Sequence, residues 1–342
     1  MRYRSASLGA VVLMVALSVL PRVASEGHPY PDPGTNDGSD NSKPVRVALV
    51  KMPYVGERNV PDTSRGPDYL EEGGIRKLLE QQGAQVKATD VVALTADEEK
   101  AYGSWNHLAL AAGDMAKLVA DERRGGYLPI GFLANCNGLL GMVSGLQHSG
   151  PTAKPLRVGM VFIDAHGDFN TPETTLSGML GGMPVAIAAG LALTRMREKA
   201  GLDPALPQRY IVEGGVRDTD PLEQELLDRS EIEQLSVQDI RTRSDKLQRA
   251  MQRLSEITDV IYIHVDMDVL DPAEVPGHHL KVKNGPISAE LAAAIAEMFK
   301  YEKAAAFGVA STPYGDEDKT GVSLQAAHNL ILGAIHGIQQ RR

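Results

Sequence analysis

Residues 161–185 read VFIDAHGDFNTPETTLSGMLGGMPV. The stretch opens on Val161-Phe162-Ile163, three apolar residues of the kind that end a buried strand. It then sets Asp164, His166, Asp168 and Asn170 at every second position. Successive side chains of extended backbone alternate between faces, so these four share one side. Carboxylates held this close raise each other's pKa unless something neutralises them, and a bound cation is the simplest neutraliser. A polar strand edge running into a solvated turn is the competing reading.

Residues 259–272, DVIYIHVDMDVLDP, have the same grammar: an apolar run, then Asp266, Asp268 and Asp271. In open α/β sheets, ligands bind at the carboxyl ends of strands, which is where both acidic sets fall. Neither stretch is an EF-hand loop, which needs Gly at its sixth position and Glu at its twelfth. Counted from Asp266 those positions hold Asp271 and Gly277, and counted from Asp164 they hold Phe169 and Thr175. Two oxygen-rich strand ends point to one shared, dinuclear metal site.

The motifs DAHGDFN (Asp164–Asn170) and HVDMDVLDP (His264–Pro272) resemble the paired aspartate motifs of the arginase/agmatinase (ureohydrolase) family. The similarity runs from Val45 to Gly337. It implies a three-layer α/β/α sandwich with a mostly parallel sheet. It also implies two manganese ions per chain, zinc or iron being the alternatives, and a metal-bridging hydroxide that attacks a guanidinium carbon. By the same resemblance Asp164 and Asp266 bridge the ions. Asp168 and Cys136 complete one half of the centre, and His166 and Asp268 the other; Asp168 is also assigned a catalytic part. Asn170, Ser177, Asp220 and Glu223 match positions that hold the α-carboxylate and α-amino groups of a substrate, which favours an amino acid over a bare amine. For Asp220 and Glu223, helix capping before Leu222–Leu235 is the structural alternative.

Three departures from the family pattern carry weight. Cys136 stands where a metal-ligating His is expected, with Asn135 in place of an Asp; a thiolate is a competent but softer ligand, and a buried thiol that ligates nothing is the alternative. Gly181 stands where arginases carry a proton-shuttling His, and Met179 where they carry an Asn. His278, or its neighbour His279, is the candidate replacement for the shuttle. Ala310 stands where the family's guanidinium-gripping Glu belongs, which leaves Asp316, Glu317 or Asp318 to substitute, or implies a substrate uncharged at that end. The expected function is hydrolysis of a C–N bond in an arginine-like or N-hydroxyarginine-like small molecule. A non-catalytic binding protein on the same scaffold and an amidase acting on another linear C–N bond are the rivals.

Composition bounds the rest. The chain has 342 residues, 43% of them hydrophobic, enough for one large core. Its net charge of −9 argues against nucleic acid as a partner, which calls for a basic face. One cysteine excludes an intramolecular disulfide. Residues 1–25 read as a signal peptide: Arg2 and Arg4, then a short apolar core, then Val23-Ala24-Ser25. Residues 26–43, rich in Gly, Pro, Asp, Asn and Ser, read as a disordered linker, and 44–342 as a single catalytic domain. The expectation is therefore a secreted or periplasmic protein with no membrane attachment after cleavage; the resemblance adds a homo-oligomer, trimeric or hexameric. Strands are expected at Val45–Met52, Val86–Val92, Leu128–Leu133 and Tyr210–Glu213, and helices at Tyr69–Gln82, Trp105–Arg124, Met183–Lys199, Leu222–Leu235, Ser288–Tyr301 and Val322–Ile338.

Overall fold

The computed structural model describes residues 44–56 and 62–341; the expected signal peptide and linker lie outside them. Nine strands form one sheet: β1 (Arg46–Met52), β2 (Gln85–Val86), β3 (Asp90–Val91), β4 (Leu128–Leu133), β5 (Val158–Ile163), β6 (Ile211–Gly214), β7 (Glu233–Leu235), β8 (Val260–Asp266) and β9 (Ala304–Ala310). Their order is β2-β1-β4-β9-β8-β5-β6-β7, with β3 also paired to β1. Every pairing between these strands is parallel. The strands read as continuous apolar runs because helices cover both faces, as parallel sheets require.

On one face the helices Gly66–Glu72, Ile75–Gln81, Asp245–Ile257, Ser288–Phe299 and Val322–Gln339 pack a core that includes Leu79, Leu254, Ile295 and Ile331. On the other, Ser104–Arg124, Leu139–Gln147, Pro184–Ala188 and Thr194–Lys199 pack a core that includes Met115, Val143, Ile187 and Met196. The result is the expected three-layer α/β/α sandwich. Among the described residues no helix is long and apolar enough to cross a membrane.

Several elements are shorter than their sequence pattern implies. The Tyr69–Gln82 helix is two helices broken at Gly73-Gly74, where Gly74 has φ of 90°. Met183–Lys199 likewise divides, with Gly190 and Leu193 at positive φ between the halves. The expected Leu222–Leu235 helix ends at Asp228, and Glu233–Leu235 turns back as edge strand β7. Val86–Val92 is two two-residue strands rather than one. Apolar periodicity continued across these breaks, and sheet pairing decided between helix and strand.

The chain reaches β5 from β4 without placing them side by side, and β8 and β9 fill the gap. The carboxyl ends of β4, β9, β8, β5 and β6 therefore surround one crevice, and each delivers residues to it.

Candidate metal centre and substrate cavity

Cys136 follows β4, Ser311 follows β9, Asp266 closes β8 and Asp164 follows β5. Three sets of donor atoms come within 4.8 Å of one another: Cys136, Asp164 and Asp168; Asp164, His166 and Asp268; and Asp266, Asp268 and His278. All six sequence-assigned ligands thus converge, and His278 joins them. Asp271 does not; its carboxylate accepts the Ala273 N–H and closes the following turn.

The cluster is heavily hydrogen-bonded. Cys136 Sγ donates to Asp266 Oδ2 at 2.9 Å and lies 3.5 Å from Asp164 Oδ2. Ser311 Oγ donates to Asp266 Oδ2 at 2.6 Å, from a residue held at φ of 59°. The Asp268 N–H donates to Asp266 Oδ1 and the His166 N–H to Asp164 Oδ1. His166 Nδ1 lies 3.3 Å from Asp164 and 3.1 Å from Asp268.

Its electrostatics call for more positive charge than the protein supplies. Burial disfavours charge on His166, but Asp164 and Asp268 override it and push the imidazole up to about 12. Burial and then Asp164 raise Asp168 and Asp268 well above the usual carboxylate range, and Asp266 to about 7. Only Asp164 lies below its ordinary value: burial acts upward on it, and His166 outweighs burial. One imidazolium among four buried carboxylates leaves uncompensated charge that divalent cations would neutralise. The donor set fits a metal site on these grounds.

A cavity of about 350 Å³ opens over this floor. One wall carries Asn170, Ser177, Met179, Gly181, Asp218, Asp220 and Glu223, and the other His278, His279, Leu280 and Glu317. Asp220 Oδ2 accepts from the Leu176 N–H at 2.9 Å and from Asn170 Nδ2 at 3.3 Å. Glu223 is buried and its carboxylate accepts the N–H groups of Phe169 and Asp220, so it serves the capping role weighed for it while still bordering the cavity. Ser177 is exposed at the mouth.

The His278 loop is tied down from two sides. Arg217 donates to the carbonyls of Val282 and Lys283, each at 2.9 Å. Gly277 lies so close to the Glu317 backbone that a Cβ there would overlap it. His279 Nε2 meets Glu317 Oε1 at 2.6 Å. Of the three acidic candidates near Ala310, only Glu317 reaches the cavity. Asp316 points into solvent beside Lys319, and Asp318 accepts the Ser323 and Leu324 N–H groups at a helix start. Ala310 itself is buried in the core, in register with Asp266.

His264, Tyr262 and Ser311 were not singled out from the sequence, although two have a readable signal. Tyr262, His264 and Asp266 alternate along β8 and so share the face of the site.

A parallel α/β/α sandwich with buried carboxylate, imidazole and thiol donors at its strand ends presents a cluster that fits metal ions. The arginase family model matches residues 45–334, and the chain belongs to the arginase family of hydrolases. An arginase of Brevibacillus brevis is 27% identical over 247 residues, covering 69% of this chain and 79% of that protein. Human mitochondrial arginase-2 is 26% identical over 254 residues, covering 70% and 69%. Among solved structures, arginase from Bacillus subtilis superposes with a TM-score of 0.74 at 19% identity, covering 85% of this chain and 98% of that one. Formimidoylglutamase from the same species gives 0.67 at 18%, covering 89% of each.

Proposed function

We propose that this chain hydrolyses a C–N bond of a guanidino-type amino acid, arginine-like or N-hydroxyarginine-like, using two divalent metal ions. The carrying observation is the convergence of Cys136, Asp164, His166, Asp168, Asp266 and Asp268 on the floor of a cavity that Asn170, Ser177, Asp220 and Glu223 also line. Asp164, Asp168, Asp266 and Cys136 would hold one ion, and Asp164, His166, Asp266 and Asp268 the other; the oxygen-rich second half suits manganese. When bound, the ions supply a nucleophile at neutral pH and polarise the target carbon.

The chain's own groups do the rest. Asn170, Ser177 and Asp220 receive the α-carboxylate and α-amino groups and set the reach of the substrate. Asp168, which would also hold an ion, lines the cavity and its carboxylate orients the attacking water. His278 Nδ1 accepts the Leu280 N–H at 3.2 Å, so in the neutral ring the proton sits on Nε2. That atom is buried without a hydrogen-bond partner and lies 3.7 Å from Asp266 Oδ1. Burial lowers this imidazole to about 4, which keeps it neutral, so it offers the cavity an N–H donor for the substrate rather than the proton shuttle missing at Gly181. Glu317, steadied by His279, supplies the carboxylate that Ala310 does not.

A second reading is hydrolysis of a less basic amidine C–N bond, as the name formimidoylglutamase indicates for one structural relative. The buried methyl of Ala310 favours it, because no carboxylate meets the substrate from the β9 end. The substrate in either case is a small molecule. Export by the Met1–Ser25 leader and homo-oligomerisation belong to the same proposal. Metal content of the purified chain after manganese or zinc loading, followed by product analysis on guanidino and formimino amino acids, tests it. Two equivalents of metal with release of urea, hydroxyurea or formamide supports the assignment. Absence of bound metal after loading refutes it and leaves a binding protein.

A further inference from the structure

Behind the metal centre lie two side chains, Tyr262 and His264, that the proposed reaction does not use. Tyr262, His264 and Asp266 alternate on β8, pointing to the same face at increasing height. The Tyr262 hydroxyl lies 2.8 Å from His264 Nδ1, and His264 Nε2 lies 3.2 Å from Cys136 Sγ. Cys136 Sγ in turn lies 2.9 Å from Asp266. One sense of donation satisfies every link: phenol to Nδ1, Nε2–H to sulfur, and S–H to the carboxylate.

The line is built rather than incidental. Phe162, opposite His264 in the register, stacks on the imidazole with ring centroids 5.1 Å apart and planes within 11°. Gly308, its neighbour on β9, leaves room for the phenol; a Cβ there would overlap the Tyr262 hydroxyl. Tyr262 and His264 are both fully buried, and Cys136 nearly so. His264 is not among the groups that cluster with the carboxylates, so it stands behind the sulfur rather than beside the ions.

We propose that Tyr262 and His264 form a hydrogen-bonded buttress that presents Cys136 as a sulfur ligand, making that half of the centre selective for a thiophilic divalent ion over manganese. The inference rests on the metal-centre reading above. An N–H donated to a ligand from its far side fixes the ligand's orientation, and losing such a partner weakens metal binding about 10–100-fold. A sulfur donor shifts preference from manganese towards zinc, cobalt and iron. His264 is a positioning residue, acting through Cys136.

Cobalt(II) titration of the chelator-stripped chain tests this without reference to turnover. The wild type is expected to develop a near-ultraviolet sulfur-to-cobalt charge-transfer band, which Cys136→Ser abolishes. His264→Leu is expected to shift the band and weaken cobalt binding about 10–100-fold. His264→Gln, with an amide N–H in reach of the sulfur, recovers most of the loss. Tyr262→Phe gives a smaller loss and serves, with the wild type, as the decisive pair should His264→Leu not fold by circular dichroism. In competition, zinc displaces manganese at a lower zinc-to-manganese ratio in the wild type than in Cys136→His. Cobalt bound with no charge-transfer band, or an unchanged band and affinity in the foldable His264 and Tyr262 variants, overturns the buttress alone. No cobalt bound at all overturns the metal-centre reading with it.

Discussion

Replacing Asp266 with asparagine should change stability in opposite directions according to whether metal is present. Asp266 is 4% exposed, and burial followed by the Asp164 charge raises it to about 7, against about 3.9 for a free aspartate. A raised carboxylate means that the folded state binds the proton more tightly than the unfolded one, so stability is lost as pH climbs between those values. At about pH 8 the metal-free protein carries a cost of up to about 4 kcal/mol for ionising this group, three units at about 1.4 kcal/mol each. Asparagine removes the charge. It keeps an acceptor on the side where Ser311 and Cys136 donate to Oδ2, but forfeits the bond from the Asp268 N–H to Oδ1. A hydrogen bond to a charged group contributes about 1.5–3 kcal/mol, so the net gain in chelator is about 1–2 kcal/mol. In a domain of this size that is a rise in Tm of roughly 2–4 °C. With metal in excess the order reverses. Each bound ion would stabilise the wild type by about 2.7 kcal/mol at a hundred times its Kd, and the variant forfeits one of the carboxylates that would hold metal. Thermal melts by circular dichroism in chelator and in excess zinc or manganese read both arms. A variant that melts below the wild type by the same margin in both conditions would show Asp266 to be a structural acceptor, and the charge argument would fail.

Asp164→Ala should remove both ions together, because Asp164 contributes to two of the three donor sets; elemental analysis finding two ions retained refutes the bridging role. The metal-free wild type should lose stability as pH rises: the raised carboxylates Asp168 and Asp268 contribute a loss that starts from their unfolded value of about 4, and His166, raised from 6.5 to about 12, adds its own between those values. A Tm in chelator that is flat or rising across that range contradicts the cluster's charge balance. Glu317→Gln should raise KM for a guanidinium substrate about tenfold or more, since a charge-assisted contact is worth about 1.5–3 kcal/mol; an unchanged KM favours the less basic amidine. Ala310→Glu should lower Tm, not improve turnover, because it introduces a carboxylate into a fully buried position beside Asp266.

Much of the site was legible because strand periodicity is simple. Alternation alone places Asp164, His166 and Asp168 on one side, and Asp266 with Asp268 at a second strand end. The same rule reaches His264 and Tyr262, whose signal is masked by the apolar run that holds them. Asp220 and Glu223 show where one dimension is ambiguous. A capping residue and a cavity residue have the same sequence signature, and these two are both, since the helix start itself forms the wall.

What the sequence determined by itself, through local period and spacing, is the alternation of strands and helices and the two strand ends that carry Asp164, His166 and Asp168, and Asp266 and Asp268; the three-layer sandwich and Cys136 as a donor were implied by the family resemblance. Where helices broke, it had no answer: the halves at Gly73-Gly74 and at Gly190–Leu193 follow from packing against the sheet. Tertiary structure alone decided which loop residues meet the centre. His278 and Glu317 arrive there through the Arg217 anchors and the tight approach of Gly277, contacts between segments tens of residues apart. It alone set His264 behind Cys136, because the order β4-β9-β8 leaves a single strand between β4 and β8, and the side chains of Cys136 and His264 meet across it.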